Sequence, residues 1–112
     1  MIKKIIATNK KHLISLIYEE IKLSGTECDL NHIDISGVTN LSALFFESKF
    51  NGDISNWDVS NVTDMSYLFY NSKFNGSISA WDTSNITDMS NLFNKSKFNG
   101  DISTWDVFNV TK

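Results

Sequence analysis

From Phe50 to Phe69 the chain reads FNGDISNWDVSNVTDMSYLF. It returns as FNGSISAWDTSNITDMSNLF from Phe74 to Phe93, and begins again as FNGDISTWDVFNV from Phe98 to Val110. Trp57, Trp81 and Trp105 share a step of 24 residues, as do Phe50, Phe74 and Phe98, and Gly52, Gly76 and Gly100. The pairs Leu44–Phe45, Leu68–Phe69 and Leu92–Phe93 keep the same step. One period before Trp57 lies Ile33, inside CDLNHIDISGVTNLSALF, a diverged copy in which Leu30 stands for Ile54, Asp34 for Asp58, Ile35 for Val59 and Val38 for Val62. The chain thus carries one variant copy, two full copies and a truncated fourth. A fixed period of this length is the mark of a repeat architecture. Each copy has too few apolar residues to offset its own chain entropy, so copies are expected to bury those residues against one another as the coils of a solenoid.

Local rules sketch one coil. In WDVS, Trp57 and Val59 alternate with Asp58 and Ser60, the period-two pattern of a short strand. In TDMSYLF, Thr63 or Asp64 is placed to cap a helical turn that carries Met65, Leu68 and Phe69 on one face. The segment NSKFNG returns the chain, with Phe74 inward and Gly76 allowing a tight or positive-φ turn. Strand, turn, short helix and return would make a parallel array with neighbouring strands about 4.8 Å apart. Ahead of the repeats, Leu13, Leu16, Ile17 and Ile21 recur at helical spacing, with Gly25 in position to end the helix. The expected organisation is an N-terminal cap over 1–27, comprising a candidate edge strand 2–7 and an amphipathic helix 9–24, followed by a repeat region over 28–112.

The copies resemble the repeat of the BspA-type leucine-rich repeat surface proteins and the related repeats of mycoplasma lipoproteins. The matching residues in this chain are Val62-Thr63, Met65, Leu68-Phe69, Ser72, Phe74, Ile78 and Trp81, and the pattern extends from Cys28 to Val110. The resemblance implies a right-handed, leucine-rich-repeat-like α/β solenoid with a parallel sheet on one face. It also implies a bacterial surface or secreted protein with a binding or adhesion role. No signal peptide is legible, because Lys10 and Lys11 interrupt the N-terminal apolar run. That N-terminus is also compatible with a cytoplasmic protein or a partial chain. The last copy departs from the pattern, with Phe108 where Ser36, Ser60 and Ser84 stand in the others.

Composition narrows the function. A formal charge of −3 with 10 scattered basic residues argues against nucleic acid as the partner. No apolar run is long enough for membrane insertion. Cys28 is the only cysteine, so an internal disulfide is excluded and a cysteine-rich zinc site cannot be built. His12 and His32 do not recur with the repeat, and no Ser/His/Asp set, phosphate-cradling loop or metal motif stands out. A repeat makes ladders of identical groups, whereas catalysis needs different groups converging on one point. The expectation is a non-enzymatic protein without cofactor or metal.

Two candidate surfaces follow. Positions that vary between copies and point outward would compose a partner-binding face on the sheet: Asn56, Asp58, Ala80, Asp82, Thr104 and Asp106. The aspartate ladder Asp34, Asp58, Asp82 and Asp106 has two readings. One is a cation or basic partner along it, and the other is carboxylates bonded to nearby hydroxyl and N–H groups or left solvated. The second surface is the final strand TWDVF, where Trp105, Val107, Phe108 and Val110 are candidates for self-association, as open strand edges recruit further chains. The leading expectation is therefore a binding or adhesion module that holds a protein partner on its sheet face. The alternative is a structural protein that forms a homodimer through its C-terminal coil.

Overall fold

The computed structural model describes residues 3–112, so residue 2 of the expected edge strand lies outside the described residues. Regular structure begins with β1 (Ile5–Ile6) and α1 (Lys10–Ser24). Asn9 caps α1 by accepting the His12 N–H at 2.9 Å, and His12 Nδ1 accepts the Thr8 N–H at 3.0 Å in return. Gly25, at φ 86°, closes the helix by donating its N–H to Ile21 O. Leu13 and Ile17 are the buried face of α1. The only sheet among the described residues is a parallel pair of β1 with β2 (Ile33–Asp34), in which Ile5 lies opposite Ile33 and Ile6 opposite Asp34.

These elements overturn the expected leucine-rich-repeat-like α/β solenoid. The expected strand forms only in the variant first copy, as β2, the expected helical turn forms in none of the described copies, and the radius of gyration is 13.0 Å, with extents of 37 × 27 × 23 Å. That radius is about what an ordinary globule of this length has.

The missing helix has a backbone cause. In segment 65–72 the N–H groups of Leu68, Tyr70 and Ser72 donate to the carbonyls of Met65, Tyr67 and Phe69, three residues back. The alternate N–H groups, those of Tyr67, Phe69 and Asn71, donate instead to Ser90, Leu92 and Asn94 in the next copy. Segment 41–48 behaves identically, with Ala43, Phe45 and Glu47 donating to Ser66, Leu68 and Tyr70. A helix would need every one of these N–H groups for itself. The alternation also requires left-handed backbone at two positions per copy, Ala43, Tyr67 and Asn91 at φ 56–59° and Glu47, Asn71 and Lys95 at φ 49–58°.

Where the first copy pairs with β1, the later copies have no such neighbour among the described residues, and their backbone N–H groups at the strand positions make only local bonds. The Trp57 N–H turns back to Ile54 O, and the Ser60 N–H and hydroxyl both donate to Asp58 Oδ1. Such local bonds compete directly with a sheet ladder. Between copies, only isolated parallel bridges form, at Asp29–Asp53, Asn40–Asp64 and Asp64–Asp88.

Copies lie in register and share one core. Rings at equivalent positions are near-parallel: Phe45–Phe69 and Phe69–Phe93 at 5.9 Å, and Phe50–Phe74 at 6.1 Å. The tryptophans are buried with the core, and each indole N–H donates to a carbonyl of the preceding copy: Trp57 to Leu30, Trp81 to Ile54 and Trp105 to Ile78. Gly52, Gly76 and Gly100 serve close approach, not a positive φ. A Cβ on Gly52 would sit 1.9 Å from Cys28 O, so only glycine fits where the two copies touch.

Candidate functional site

The six residues expected to form a partner-binding face, Asn56, Asp58, Ala80, Asp82, Thr104 and Asp106, are all exposed. No sheet displays them. Their aspartates are instead built into turns. Asp34, Asp58, Asp82 and Asp106 accept the N–H of Ser36, Ser60, Ser84 and Phe108, each two residues on. The same Asp-x-Ser geometry recurs at Asp53–Ser55, Asp64–Ser66, Asp88–Ser90 and Asp101–Ser103. At Asn40 an amide oxygen does the same work for Ser42, so the turn needs an oxygen and not a charge. The bonds hold several of these carboxyls below the ordinary carboxylate value. The Ser84 hydroxyl and then its N–H act on Asp82, the Ser55 hydroxyl on Asp53, and the Ser90 and Ser103 N–H groups on Asp88 and Asp101. Of the two readings of the aspartate ladder, the bonds to hydroxyl and N–H groups are the one observed.

Further polar ladders join the copies. Asn75 and Asn99 donate their N–H groups to the side-chain oxygens of Asn51 and Asn75. Asn61, Asn85 and Asn109 donate amide N–H groups to Ser36, Ser60 and Ser84 carbonyls. Burial pushes the Cys28 thiol up from its ordinary value, which keeps it protonated and unreactive at neutral pH. Among the described residues no group of three or more His, Cys, Asp or Glu is placed to hold a metal, and no helix is long and apolar enough to cross a membrane.

Two of the four residues in the second candidate set meet at one place. Trp105 and Val107 line a cavity of about 350 Å³, together with Met89, Leu92, Phe93 and Ile102. Val110 is partly buried and packs against the core. Phe108, one residue on from Val107, does not line the cavity and is 89% exposed, and Val107 is 51% exposed. The Asp106 carboxylate accepts the Phe108 N–H, which fixes the turn that presents the ring. Met89, Leu92, Phe93 and Ile102 were not singled out by sequence reasoning. Their signal was available: they are the equivalents of Met65, Leu68, Phe69 and Ile78, core positions that lack a full copy beyond them.

A second exposed cluster also escaped that reasoning. Phe46 and Tyr70 stack at 4.9 Å, Tyr67 lies 5.5 Å from Tyr70, and Lys95 Nζ is 5.8 Å from the Tyr70 ring centre. The equivalent positions of the next copy are Asn91 and Asn94, which bond to each other, so the aromatic patch stops there.

A family model described as Mycoplasma protein of unknown function, DUF285, matches residues 14–112. The chain belongs to that family. No curated protein and no solved structure matches it. The match to DUF285 begins inside α1 and takes in every copy of the repeat, the cavity and the Phe108 turn. The leucine-rich-repeat architecture implied by the BspA-type resemblance is not the one this DUF285 chain adopts.

Proposed function

We propose that this DUF285 member is a non-enzymatic docking module whose working surface is the apolar end face formed by Met89, Leu92, Phe93, Ile102, Trp105, Val107 and Phe108. Its partner is a protein. The reading rests on one observation: a large ring, Phe108, stands 89% exposed one residue on from Val107, which lines an open apolar cavity of about 350 Å³. Exposed apolar surface of this kind is costly unless something covers it, and aromatic anchors beside a pocket are the usual centres of protein interfaces. The BspA-type resemblance supports the same class of role, binding or adhesion. The exposed row from Asn56 to Asp106 supports it less well, since its carboxylates are already occupied in turns.

Photo-crosslinking separates the two surfaces. A photoreactive residue is placed at Phe108 in one protein and at Ala80 in another, and adducts are sought in the cells of origin. Protein adducts through position 108 and not through position 80 are expected. Adducts through position 80 alone, or none through position 108, would overturn the proposal.

A further inference from the structure

Along the flank of the repeat region a row of aromatic rings stands in solvent. Phe46 is 41% exposed and Tyr67 39%. Phe46 and Tyr70 hold the same position in successive copies and stack at 4.9 Å with their planes 9° apart, and the Tyr67 ring leans on Tyr70 at 5.5 Å and 51°. Left-handed backbone at Tyr67 and Asn71 brackets the inward Leu68 and Phe69 and leaves Tyr70 at the surface. Tyr67 and Tyr70 have a copy on either side of them, so the row belongs to the flank and not to an end of the repeat region. In the following copy their equivalents are Asn91 and Asn94, whose amides bond to each other at 3.0 Å. An asparagine is much shorter than a tyrosine. A step is therefore left beside Tyr70, with the ring as its wall and the two amides as its floor.

Charge around the step is one-sided. Glu47, Asn71 and Lys95 hold one position in successive copies, so the row runs from an anion next to Phe46 to a cation near Tyr70. Lys95 Nζ stands 5.8 Å from the Tyr70 ring centre and forms no ion pair among the described residues. Lys73 and Lys97 are exposed two residues beyond Asn71 and Lys95. Phe46 covers one face of Tyr70, which leaves the face toward Lys95 to a ligand, and the lysine meets that ligand on a flexible stem. The ligand that fits has a ring-sized apolar face for Tyr70, a negative group for Lys95 and hydroxyls for the Asn91 and Asn94 amides. An acidic sugar carries all three. A nucleic-acid base also stacks on an exposed ring, but it brings a phosphate with every residue to a chain of net charge −3, and that charge repels it.

We infer that the step beside Tyr70 binds an acidic sugar residue of a glycan, a uronate or a sialate. The C–H face of the sugar lies on the Tyr70 ring with Tyr67 at its side, its carboxylate pairs with Lys95, and its hydroxyls bond the Asn91 and Asn94 amides. Further acidic residues of the same glycan meet Lys73 and Lys97. The site shares no residue with the apolar end face, so the loss of either leaves the other standing.

The test titrates the 112-residue chain with a galacturonate hexasaccharide, a hyaluronan hexasaccharide and sialyllactose, with neutral maltohexaose and an oligothymidylate alongside. In ¹⁵N spectra the side-chain amides of Asn91 and Asn94 are expected to shift saturably with an acidic probe and to stay in place with maltohexaose. The acidic probe that binds more tightly identifies the sugar as uronate or sialate. Tyr70→Ala is expected to weaken that binding about ten-fold. Lys95→Gln is expected to weaken it up to about five-fold and to remove most of its salt dependence. Both side chains reach the surface, and melting temperatures check that the two variants remain folded. Absence of binding by every acidic probe would overturn the inference, as would equal binding of maltohexaose or full affinity in folded Tyr70→Ala. Tighter binding of oligothymidylate than of any sugar would overturn it in favour of single-stranded nucleic acid.

Discussion

Segments 65–72 and 89–96 carry nearly the same words, MSYLFYNS and MSNLFNKS, in different surroundings. Met65, Leu68 and Phe69 are fully buried, whereas Met89 and Phe93 are only partly so. Both segments fold into the same succession of turns, with the same left-handed residues and the same bonds three residues back. The difference is what lies beyond. The first is covered by the second through three backbone bonds, and the second faces an open cavity. Local sequence therefore sets the conformation of a copy, while its burial is conferred by the copy that follows.

The largest expected contrast is in the core rings. Phe69→Ala removes a ring packed between Phe45 and Phe93 and should cost about 3–5 kcal/mol. Phe93→Ala, at the partly buried end, should cost about half as much in the same denaturant titration, since less area leaves the core. Equal losses would mean that the two environments do not differ. Next come the glycines. Gly52→Ala would drive a Cβ onto the Cys28 carbonyl, and a cost of at least ~2 kcal/mol is expected because backbone must move. At Gly100 the nearest atoms belong only to the Phe98 ring, so Gly100→Ala should lower the melting temperature distinctly less.

The repeat's period, the buried tryptophans and the amphipathic pattern of Leu13, Leu16, Ile17 and Ile21 were all legible in the sequence, because each depends on spacing alone. The secondary structure of a copy was not. Periodicity places Met65, Leu68 and Phe69 on one side whether the chain is a helix or a run of turns, and it says nothing of where alternate N–H groups point. The decisive clue was Asp-x-Ser, repeated three times in the copy from Asp53 to Ser66, which marks turns that withdraw N–H groups from any strand. Phe108 drew notice by breaking that motif. The cavity beside it depends on which core positions lack a neighbour, and that needs the packed structure.

The Asp-x-Ser turns give the molecule an acid limit. The folded pKa values of Asp53, Asp82, Asp88 and Asp101 are lowered, so the stability they contribute is present above the ordinary carboxylate value of about 3.9 and is lost as pH falls through the lower folded values. Melting temperatures should be flat from pH 7 to about 5 and fall below about 4. Changing these four residues to asparagine should flatten the acid limb while leaving the neutral value nearly unchanged, as Asn40 makes the same turn uncharged. An unchanged acid limb would place its origin elsewhere. The smallest effect is expected at Ala43, exposed and left-handed at φ 57°. Ala43→Gly relieves about 1–2 kcal/mol of backbone strain against a glycine entropy cost of about 0.5–1, for a small net gain by thermal melting.

Amide hydrogen exchange, residue by residue, tests most directly whether cover alone distinguishes the two segments. The account predicts strong protection of the Tyr67, Phe69 and Asn71 amides and near-free exchange at Asn91, Phe93 and Lys95 in the isolated chain, under conditions where Leu92 and Ser96, bonded within their own turns, remain slower. Comparable protection at the two sets of three would contradict it.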